Sequence, residues 1–240
     1  MKKQPIYKKM AAYYDLIYSW KNYKKEVSKI KQLIKKYKKS SGYDLLETAC
    51  GTGKHAQYLK DSFSITAIDM SQEMLTIARK NVKGVTFKKA DMMTFNLPKK
   101  FDVILCLFSS IGYVKTYAHL KKTLQNFSNH LKKGGIVIIE PWLNKSTYIP
   151  GMPDMQTYSD THIKIARLSA AKVKGNVSII DLHYLIAEKN KDIQYYVERH
   201  EMGMFEIDRT LKLMEAAGLK AKFIKNGLMK DRGLYIGIKQ

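Results

Sequence analysis

The feature that most constrains this chain is a glycine turn between a short apolar run and a helical pattern. The apolar run covers residues 43–48, the turn is Ala49–Gly53, and the helical pattern covers 54–60. Glycine lets the backbone pass close to a ligand, and the first turn of a helix offers unpaired N–H groups. The order strand, glycine turn, helix therefore predicts a ligand-binding loop, although its spacing departs from G-x-G-x-x-G.

Strand and helix patterns keep alternating as far as residue 141. Because alternating elements return each strand through a helical crossover, they predict an α/β fold with a mostly parallel sheet covered on both faces. A helix that ends at Gly218 and two closing strands complete the pattern. The predicted strands are 43–48, 64–68, 85–88, 101–107, 136–140, 220–225 and 234–238, and the predicted helices are 23–39, 54–60, 72–81, 118–131 and 207–217.

The pattern changes after Pro141. Residues 142–160 are rich in Pro, Gly, Ser and Asp and are predicted to form a loop, and three β-prone runs follow at 163–172, 177–187 and 194–204. These runs predict an antiparallel meander inserted after strand five, either as a roof over a substrate or as a subunit interface. We therefore predict three parts: a basic helical segment (1–41), a main domain (42–141 and 205–240) and the inserted meander (142–204).

The charge is unevenly distributed along the chain. Lys and Arg number 43 against 21 Asp and Glu, a formal charge of +22, and residues 1–41 hold thirteen lysines against only Asp15 and Glu26. Such an excess fits nucleic acid, an anionic membrane surface or a phosphorylated small substrate. Disorder over most of the chain is excluded, since 45% of the residues are hydrophobic.

Several site classes find no support in the sequence. Cys50 and Cys106 form no CxxC or Cys/His cluster, and the six histidines lack metal-ligand spacing, so we expect neither a disulfide framework nor a metal site. Cys50 has no visible base partner and is expected to be a packing residue. The N-terminus lacks a signal pattern, and no run approaches the ~18–20 apolar residues that span a bilayer. We expect a cytoplasmic protein without a membrane segment.

Acidic residues follow the next two strands at positions suited to a nucleoside. Asp69 closes the second strand, where a carboxylate can accept both hydroxyls of a ribose, and Asp91 with Met92 follows the third, where they suit an adenine ring. Each residue alone is usually a turn, a helix cap or a core residue. Together with the glycine turn they predict a nucleoside pocket at the carboxyl ends of the strands.

These motifs, taken together, resemble a known family. Within the class I S-adenosylmethionine (SAM)-dependent methyltransferases, the chain is similar to the N,N-dimethyltransferases of dTDP-linked amino sugars such as desosamine and mycaminose. The resemblance implies a Rossmann-like, seven-stranded sheet with a reversed last strand, SAM as the cofactor and S-adenosylhomocysteine as the product. It rests on Ala49–Gly53, Asp91–Met92, Phe108–Tyr113, His130–Gly135, Glu140–Trp142, Ala216–Leu219 and Arg232–Leu234.

The resemblance also implies roles for individual residues. One departure is Ser19–Asn22, which stands where relatives carry a glycine-rich basic stretch, so that Trp20 fills space that glycines leave open. The residues implied for the cofactor are Tyr14, Tyr23, Ala49, Gly51, Asp69, Met70, Asp91, Met92 and Leu107. Those implied for a nucleotide-linked sugar are Tyr7, Ser109, Lys145, Ser146, Thr147 and Arg232.

Tyr113, which ends the Phe108–Tyr113 loop, is the residue that we expect beside the acceptor amine. Transfer of a sulfonium methyl depends mainly on in-line placement of the amine about 3–3.5 Å away. A Tyr with a reference pKa near 10 is a poor base at neutral pH, so we expect Tyr113 to orient the amine more than to deprotonate it, and water could take the proton. A packed loop aromatic is the alternative. Glu140 either holds this loop by a hydrogen bond or belongs to the active site.

Other functions remain open at this level. An RNA or DNA methyltransferase would explain the lysines, but Leu107–Ser110 stands where base N-methyltransferases carry an Asn or Asp with two prolines and an aromatic residue. A methyltransferase of another amine, hydroxyl or carboxylate is the second alternative, because a fold does not fix its acceptor. A binding module that keeps the cofactor without turnover is the third alternative. A homodimer through the inserted strands is a further hypothesis.

Overall fold

The computed structural model describes residues 7–240, with side chains from residue 11 onward. The described residues form six helices and eleven strands, one helix and one strand more than the ranges predicted from the sequence, and a short 3-10 turn, Ser110–Val114, follows the fourth strand. The helices are α1 (Tyr7–Ile17), α2 (Tyr23–Tyr37), α3 (Lys54–Leu59), α4 (Gln72–Asn81), α5 (Tyr117–Asn129) and α6 (Ile207–Ala216). The strands are β1 (Asp44–Thr48), β2 (Ser64–Asp69), β3 (Thr86–Lys89), β4 (Phe101–Cys106), β5 (Leu131–Ile139), β6 (Asp154–Ser159), β7 (Ile163–Lys174), β8 (Val177–Glu188), β9 (Gln194–Gly203), β10 (Leu219–Ile224) and β11 (Leu234–Lys239).

Seven strands form the main sheet, in the order β10-β11-β5-β4-β1-β2-β3. Strands β1 to β5 pair in parallel, whereas β11 runs antiparallel to both β5 and β10. The predicted fold class, a mostly parallel sheet with a reversed last strand, is therefore confirmed. The chain direction across the sheet reverses between β1 and β4, and ligands of such sheets bind beyond the carboxyl ends of the strands at this point.

The main sheet is buried on both faces. Alternate residues of each strand enter opposite cores, so that Leu45 packs on one face while the next residue, Leu46, packs on the other. Helix α2 covers the first face through Val27, Ile30 and Ile34, which repeat at helical spacing. Cys106 lies within the second core, where burial raises the pKa of its thiol to about 12. Its environment is that of an inert packing residue.

A second, antiparallel sheet has the order β6-β7-β8-β9, and we call it the meander. The prediction of a loop over 142–160 was wrong in part, because β6 pairs with β7 from Asp154–Ser169 to Ser159–Lys164. The side chains of β6 are mostly exposed, so the strand carries no apolar alternation that the sequence could reveal. Similarly, β5 begins at Leu131, ahead of the predicted Ile136, because an irregular register lets it pair early with Phe101.

Helix α1 joins the meander to the main sheet. Its buried Ile17 packs against Ile165, Leu182 and Ile186 on the inner face of the meander. The hydroxyl of Tyr13 also donates to Glu188 over 2.5 Å. The helix is thereby held across the carboxyl ends of β1 and β4. Within 7–240, none of the helices combines the length and the apolar character that crossing a membrane requires.

Candidate active site

The glycine turn adopts left-handed backbone geometry. Gly51 and Gly53 have φ of +55° and +79°, and Ala49 has φ of +52°. A Cβ added to Gly51 would meet nothing within 4 Å, so the turn faces open space there. The N–H of Gly51 donates to Asp69 Oδ2 over 2.8 Å, while Oδ1 accepts from Ser71 over 2.8 Å. Asp69 thus ties the turn to the end of β2, and burial raises the pKa of its carboxyl.

A narrow cavity opens above this turn. It is closed by α1 and α2, which contribute Tyr14 and Tyr23, and by the segment that follows β4. Burial raises the pKa of the Tyr14 hydroxyl well above its usual value, so that it stays a neutral donor. The residues that line the cavity are Tyr14, Tyr23, Glu47, Ala49, Cys50, Gly51, Thr52, Lys54, His55, Leu107, Phe108 and Ser110.

Buried charges lie at one side of this cavity. His55 Nε2 is 2.8 Å from Glu26 Oε2 and its Nδ1 is 3.6 Å from Glu47 Oε1, while Lys21 pairs with the other oxygen of Glu26. Although desolvation opposes it, contact with the two carboxylates raises the pKa of His55 to about 9. The two cations therefore balance the two carboxylates at neutral pH. Glu47 Oε2 is buried without a hydrogen-bond partner, which leaves an acceptor at the cavity wall.

The segment after β4 is also left-handed, although neither residue is a glycine. Phe108 and Ser109 have φ of +49° and +63°. The strain is held by hydrogen bonds: the N–H of Phe108 donates to Glu140 Oε2 over 2.7 Å, and Ser109 Oγ donates to the carbonyl of Pro141 over 2.9 Å. The structure thus shows the loop-holding hydrogen bond considered for Glu140. Burial raises the pKa of the Glu140 carboxyl, and its Oε1 has no partner.

A wider cavity lies between this segment and the meander. Tyr14, Phe108 and Ser110 line both cavities, so the two meet there. Two arginines reach the wide cavity from opposite elements, Arg232 from the segment before β11 and Arg167 from β7. Two guanidinium groups in one enclosed space favour an anionic ligand.

The two arginines are held by different contacts. Arg232 Nη1 donates to Ser109 Oγ over 2.8 Å, and its guanidinium lies 4.8 Å from the ring centre of Trp142. Arg167 is only 5% exposed, and its Nη1 donates to the hydroxyl of Tyr18 over 2.9 Å. Its Nε is buried without a partner, and its nearest carboxylate is the exposed Asp154 at 3.8 Å. Arg167 therefore keeps an unpaired donor beside the cavity.

Tyr113 also lines the wide cavity, three residues beyond the junction at Ser110. It is 40% exposed, and its hydroxyl lies 2.6 Å from His200 Nδ1 of β9. The side chain of Tyr113 therefore borders the cavity, and its hydroxyl lies within hydrogen-bond distance of an imidazole.

Comparison with known proteins agrees with this geometry. Residues 45–135 match a family model described as a methyltransferase domain. Over 94% of this chain and 95% of the relative, the sequence is 32% identical to dTDP-3-amino-3,4,6-trideoxy-alpha-D-glucopyranose N,N-dimethyltransferase from Streptomyces venezuelae. The chain belongs to the sugar N,N-dimethyltransferase family.

Solved structures extend the same likeness to the fold. DesVI from Streptomyces venezuelae superimposes on this methyltransferase with a TM-score of 0.90 and 31% identity, over 96% of this chain and 98% of that one. SAM-bound CalS10, an amino pentose methyltransferase from Micromonospora echinaspora, gives a TM-score of 0.82 and 25% identity over 92% of both chains. The methyltransferase is thus a SAM-dependent enzyme by family, with the meander included in the match.

The methyltransferase brings most of the residues singled out in the sequence to the two cavities. Tyr14, Tyr23, Ala49, Gly51 and Leu107 line the narrow one, and Asp69 is bonded to its turn. The wide cavity takes Ser109, Tyr113, Thr147 and Arg232, while Ser146 lines an adjoining cavity that shares Thr147 and Arg232. Asp69 itself lines none of these three cavities, and neither do Met70, Asp91, Met92 and Lys145; the side chain of Tyr7 lies outside the described residues.

Sequence reasoning missed other residues of the site. Arg167 follows Ile163 and Ile165 at alternate positions of β7. The alternation of the strand could therefore have predicted an inward-facing cation at this position. Glu198 and His200 are likewise two apart in β9 and share a face. The charged group around His55 gave no comparable signal, because its members come from α2, β1, α3 and the segment before α2.

Proposed function

We propose that this methyltransferase transfers methyl groups from SAM to the exocyclic amine of a dTDP-linked amino sugar. The observation that carries this is the junction at Tyr14, Phe108 and Ser110, which connects a narrow cavity at the glycine turn to a wide cavity with two arginines. Such a pair separates a cofactor from an anionic acceptor and lets them meet at one point. The names of the relatives support the choice of an amino sugar.

The narrow cavity fits the methionine end of SAM. The buried Glu47 Oε2 lacks a partner and would accept from the α-ammonium group of the cofactor, and the open approach to Gly51 leaves room for its backbone contacts. Asp69 would accept the ribose hydroxyls, with Ala49, Leu107, Tyr14 and Tyr23 closing around the remainder.

The adenine ring would lie beyond the ribose, near the end of β3. The N–H of Ala90 donates to the carbonyl of Asp69 over 3.0 Å, which places Asp91 next to the proposed ribose site. Met92 is half-buried against the core, so it would support the adenine ring from below. Met70 is exposed and can cover the ring. Asp91 Oδ1 already accepts from Met93, and its other oxygen would take the adenine amino group.

The wide cavity would hold the nucleotide-sugar. We assign the pyrophosphate to Arg232, because guanidinium groups bind phosphate oxygens in pairs and Ser109 Oγ fixes this one. Thr147 would contact the nucleotide from the same wall. Lys145, Ser146 and Tyr7 remain proposed contacts at the rim. Arg167 adds a second cation to the same cavity.

The protein's own contribution to the reaction is mainly positioning. SAM, when bound, supplies an activated methyl group, so the acceptor needs a correctly placed lone pair and no covalent enzyme intermediate. The hydroxyl of Tyr113 would hydrogen-bond the amine and turn its lone pair toward the junction of the cavities. The left-handed backbone at Phe108 and Ser109 fixes the approach of the loop that carries Tyr113.

The test is a comparison of acceptor classes with labelled SAM. We expect label to enter dTDP-linked amino sugars, with far slower transfer to the same amino sugars without the nucleotide, because those lack the group that Arg232 binds. Label in tRNA, or equal rates with and without the nucleotide, would overturn the proposal. Cytoplasmic localisation stays a prediction of the sequence.

A further inference from the structure

Strand β9 turns an ionisable pair toward the wide cavity. Side chains two residues apart in a strand share a face, and Glu198, His200 and Met202 lie on the inner face of the meander. His200 and Met202 line the cavity. The ring of His200 lies 5.9 Å, centre to centre, from that of Tyr113. A strand of the meander thus meets the loop that follows β4.

The two ring nitrogens of His200 face different groups. Nδ1 lies 2.6 Å from the hydroxyl oxygen of Tyr113, and Nε2 lies 3.3 Å from Glu198 Oε2. A hydroxyl that donates to Nδ1 requires the tautomer with its proton on Nε2, which faces the carboxylate. The Nε2 contact has the distance of an ion pair but not the alignment of a hydrogen bond, and Nε2 is buried. An imidazolium formed here would gain a neutralising partner.

The reaction leaves a proton that must go somewhere. An alkyl amine is protonated in neutral water and must lose a proton before it can attack, and each methylated amine must lose another before a second transfer. Tyr113 is the residue proposed beside the amine, and a phenol with its ordinary pKa accepts a proton poorly. A phenol can instead pass a proton on if a base accepts its own.

We propose that Tyr113, His200 and Glu198 form a relay that removes the proton of the acceptor amine; this rests on the proposed function. The amine N–H breaks as its proton bonds to Tyr113 Oη, while the Tyr113 O–H breaks as that proton bonds to His200 Nδ1. The nitrogen keeps the electron pair with which it attacks. The imidazolium is stabilised by the Glu198 carboxylate and later returns its proton to water. Tyr113 touches the amine, and His200 and Glu198 act through it.

The two ring nitrogens of His200 contact the other two members of the relay, Tyr113 and Glu198. On the adjacent strand β8, Ile180 stands opposite His200 in the register and is apolar. The 3-10 turn contributes Tyr113, and Glu198 lies on the same strand as His200. The other titratable groups that line the cavity are Tyr14, Tyr18, Tyr148, Asp154, Arg167 and Arg232.

The same sheet offers a matched control. His183 Nδ1 lies 2.6 Å from the hydroxyl of Tyr195, the same pair at the same distance, but on the outer face of the meander. Neither residue lines the wide cavity. A substitution of His183 removes an equivalent Tyr–His contact from the same sheet without touching the relay.

The first experiment measures pH profiles of H200Q, E198Q and H183Q with a dTDP-amino sugar. For H200Q we expect kcat at pH 7 to fall about 10- to 100-fold, within the range of general base catalysis, with KM changed less than about twofold. Its acid limb should move to higher pH, so that the loss shrinks in alkaline solution. E198Q should lose about three- to tenfold, since it weakens only the support of the imidazolium. H183Q should behave as the wild type.

The second experiment needs no substrate. Nitrogen NMR of the cofactor-free protein should show His200 as the tautomer protonated on Nε2, and Y113F should remove the hydrogen-bond shift at Nδ1. A wild-type tautomer protonated on Nδ1, or an H200Q profile that matches H183Q, would overturn the relay. If no amino sugar is methylated by the wild type, the proposed function fails, and the tautomer still decides whether the relay geometry exists.

Discussion

At the scale of single residues, three strained backbone positions lie at the two cavities that are proposed to hold the ligands. Ala49, Phe108 and Ser109 are non-glycine residues with positive φ, and all three line one of the two cavities. Such geometry costs about 1–3 kcal/mol per residue and persists only where its surroundings hold it. At Phe108, the fully buried carboxylate of Glu140 stabilises this geometry by accepting a hydrogen bond from the backbone N–H. The loop carrying Tyr113 is thereby fixed before any substrate arrives.

Arg232 gives the prediction that belongs to this scale. R232A should raise KM for the nucleotide-sugar about 10- to 100-fold, because a hydrogen bond to a charged group contributes about 1.5–3 kcal/mol. Affinity for S-adenosylhomocysteine, measured by calorimetry, should stay unchanged and show that the fold is intact. K35A is the matched control, since Lys35 is an exposed cation of α2 remote from both cavities. Equal effects of the two substitutions would contradict the assignment of the pyrophosphate.

At the scale of elements, periodicity decides what the sequence can reveal. The buried strands of the main sheet were predictable because apolar runs such as that of β4 are flanked by turn residues and helical patterns. Strand β6 was not, because its side chains are mostly exposed and its backbone pairing with β7 leaves no pattern in the sequence. The same limit applies to the cavities. The turn at Gly51 could be predicted from neighbouring residues in the sequence, whereas the contact between Tyr113 and His200 joins elements that are distant in the sequence.

The outer face of the meander carries the prediction for this scale. Met155, Leu168, Leu185 and Tyr195 are exposed there, and exposed apolar side chains that cluster on one face mark interaction surfaces. We therefore propose that two copies pair through this face. Light scattering should give twice the chain mass of 27.7 kDa for the wild type and the single mass for L185K. A wild-type monomer at every concentration would contradict the dimer.

At the scale of the whole molecule, the charge of +22 divides into two parts. Most lysines of α2 point away from its buried face and meet solvent, whereas Arg167 and Arg232 are enclosed in the wide cavity. Cations that line a cavity are better placed to select a ligand than the lysines of α2, because exposed charges are screened within about 8 Å at physiological salt. The excess of lysine alone therefore does not indicate a nucleic-acid substrate.

The most direct test of the account is the position of the transferred methyl group. A dTDP-amino sugar is incubated with SAM that carries a carbon-13 methyl group, and the product is examined by two-dimensional NMR. We expect the labelled carbon to correlate with the sugar carbon that carries the amine, in an N-methyl or N,N-dimethyl product. A label on a hydroxyl oxygen or on the thymine base would contradict it.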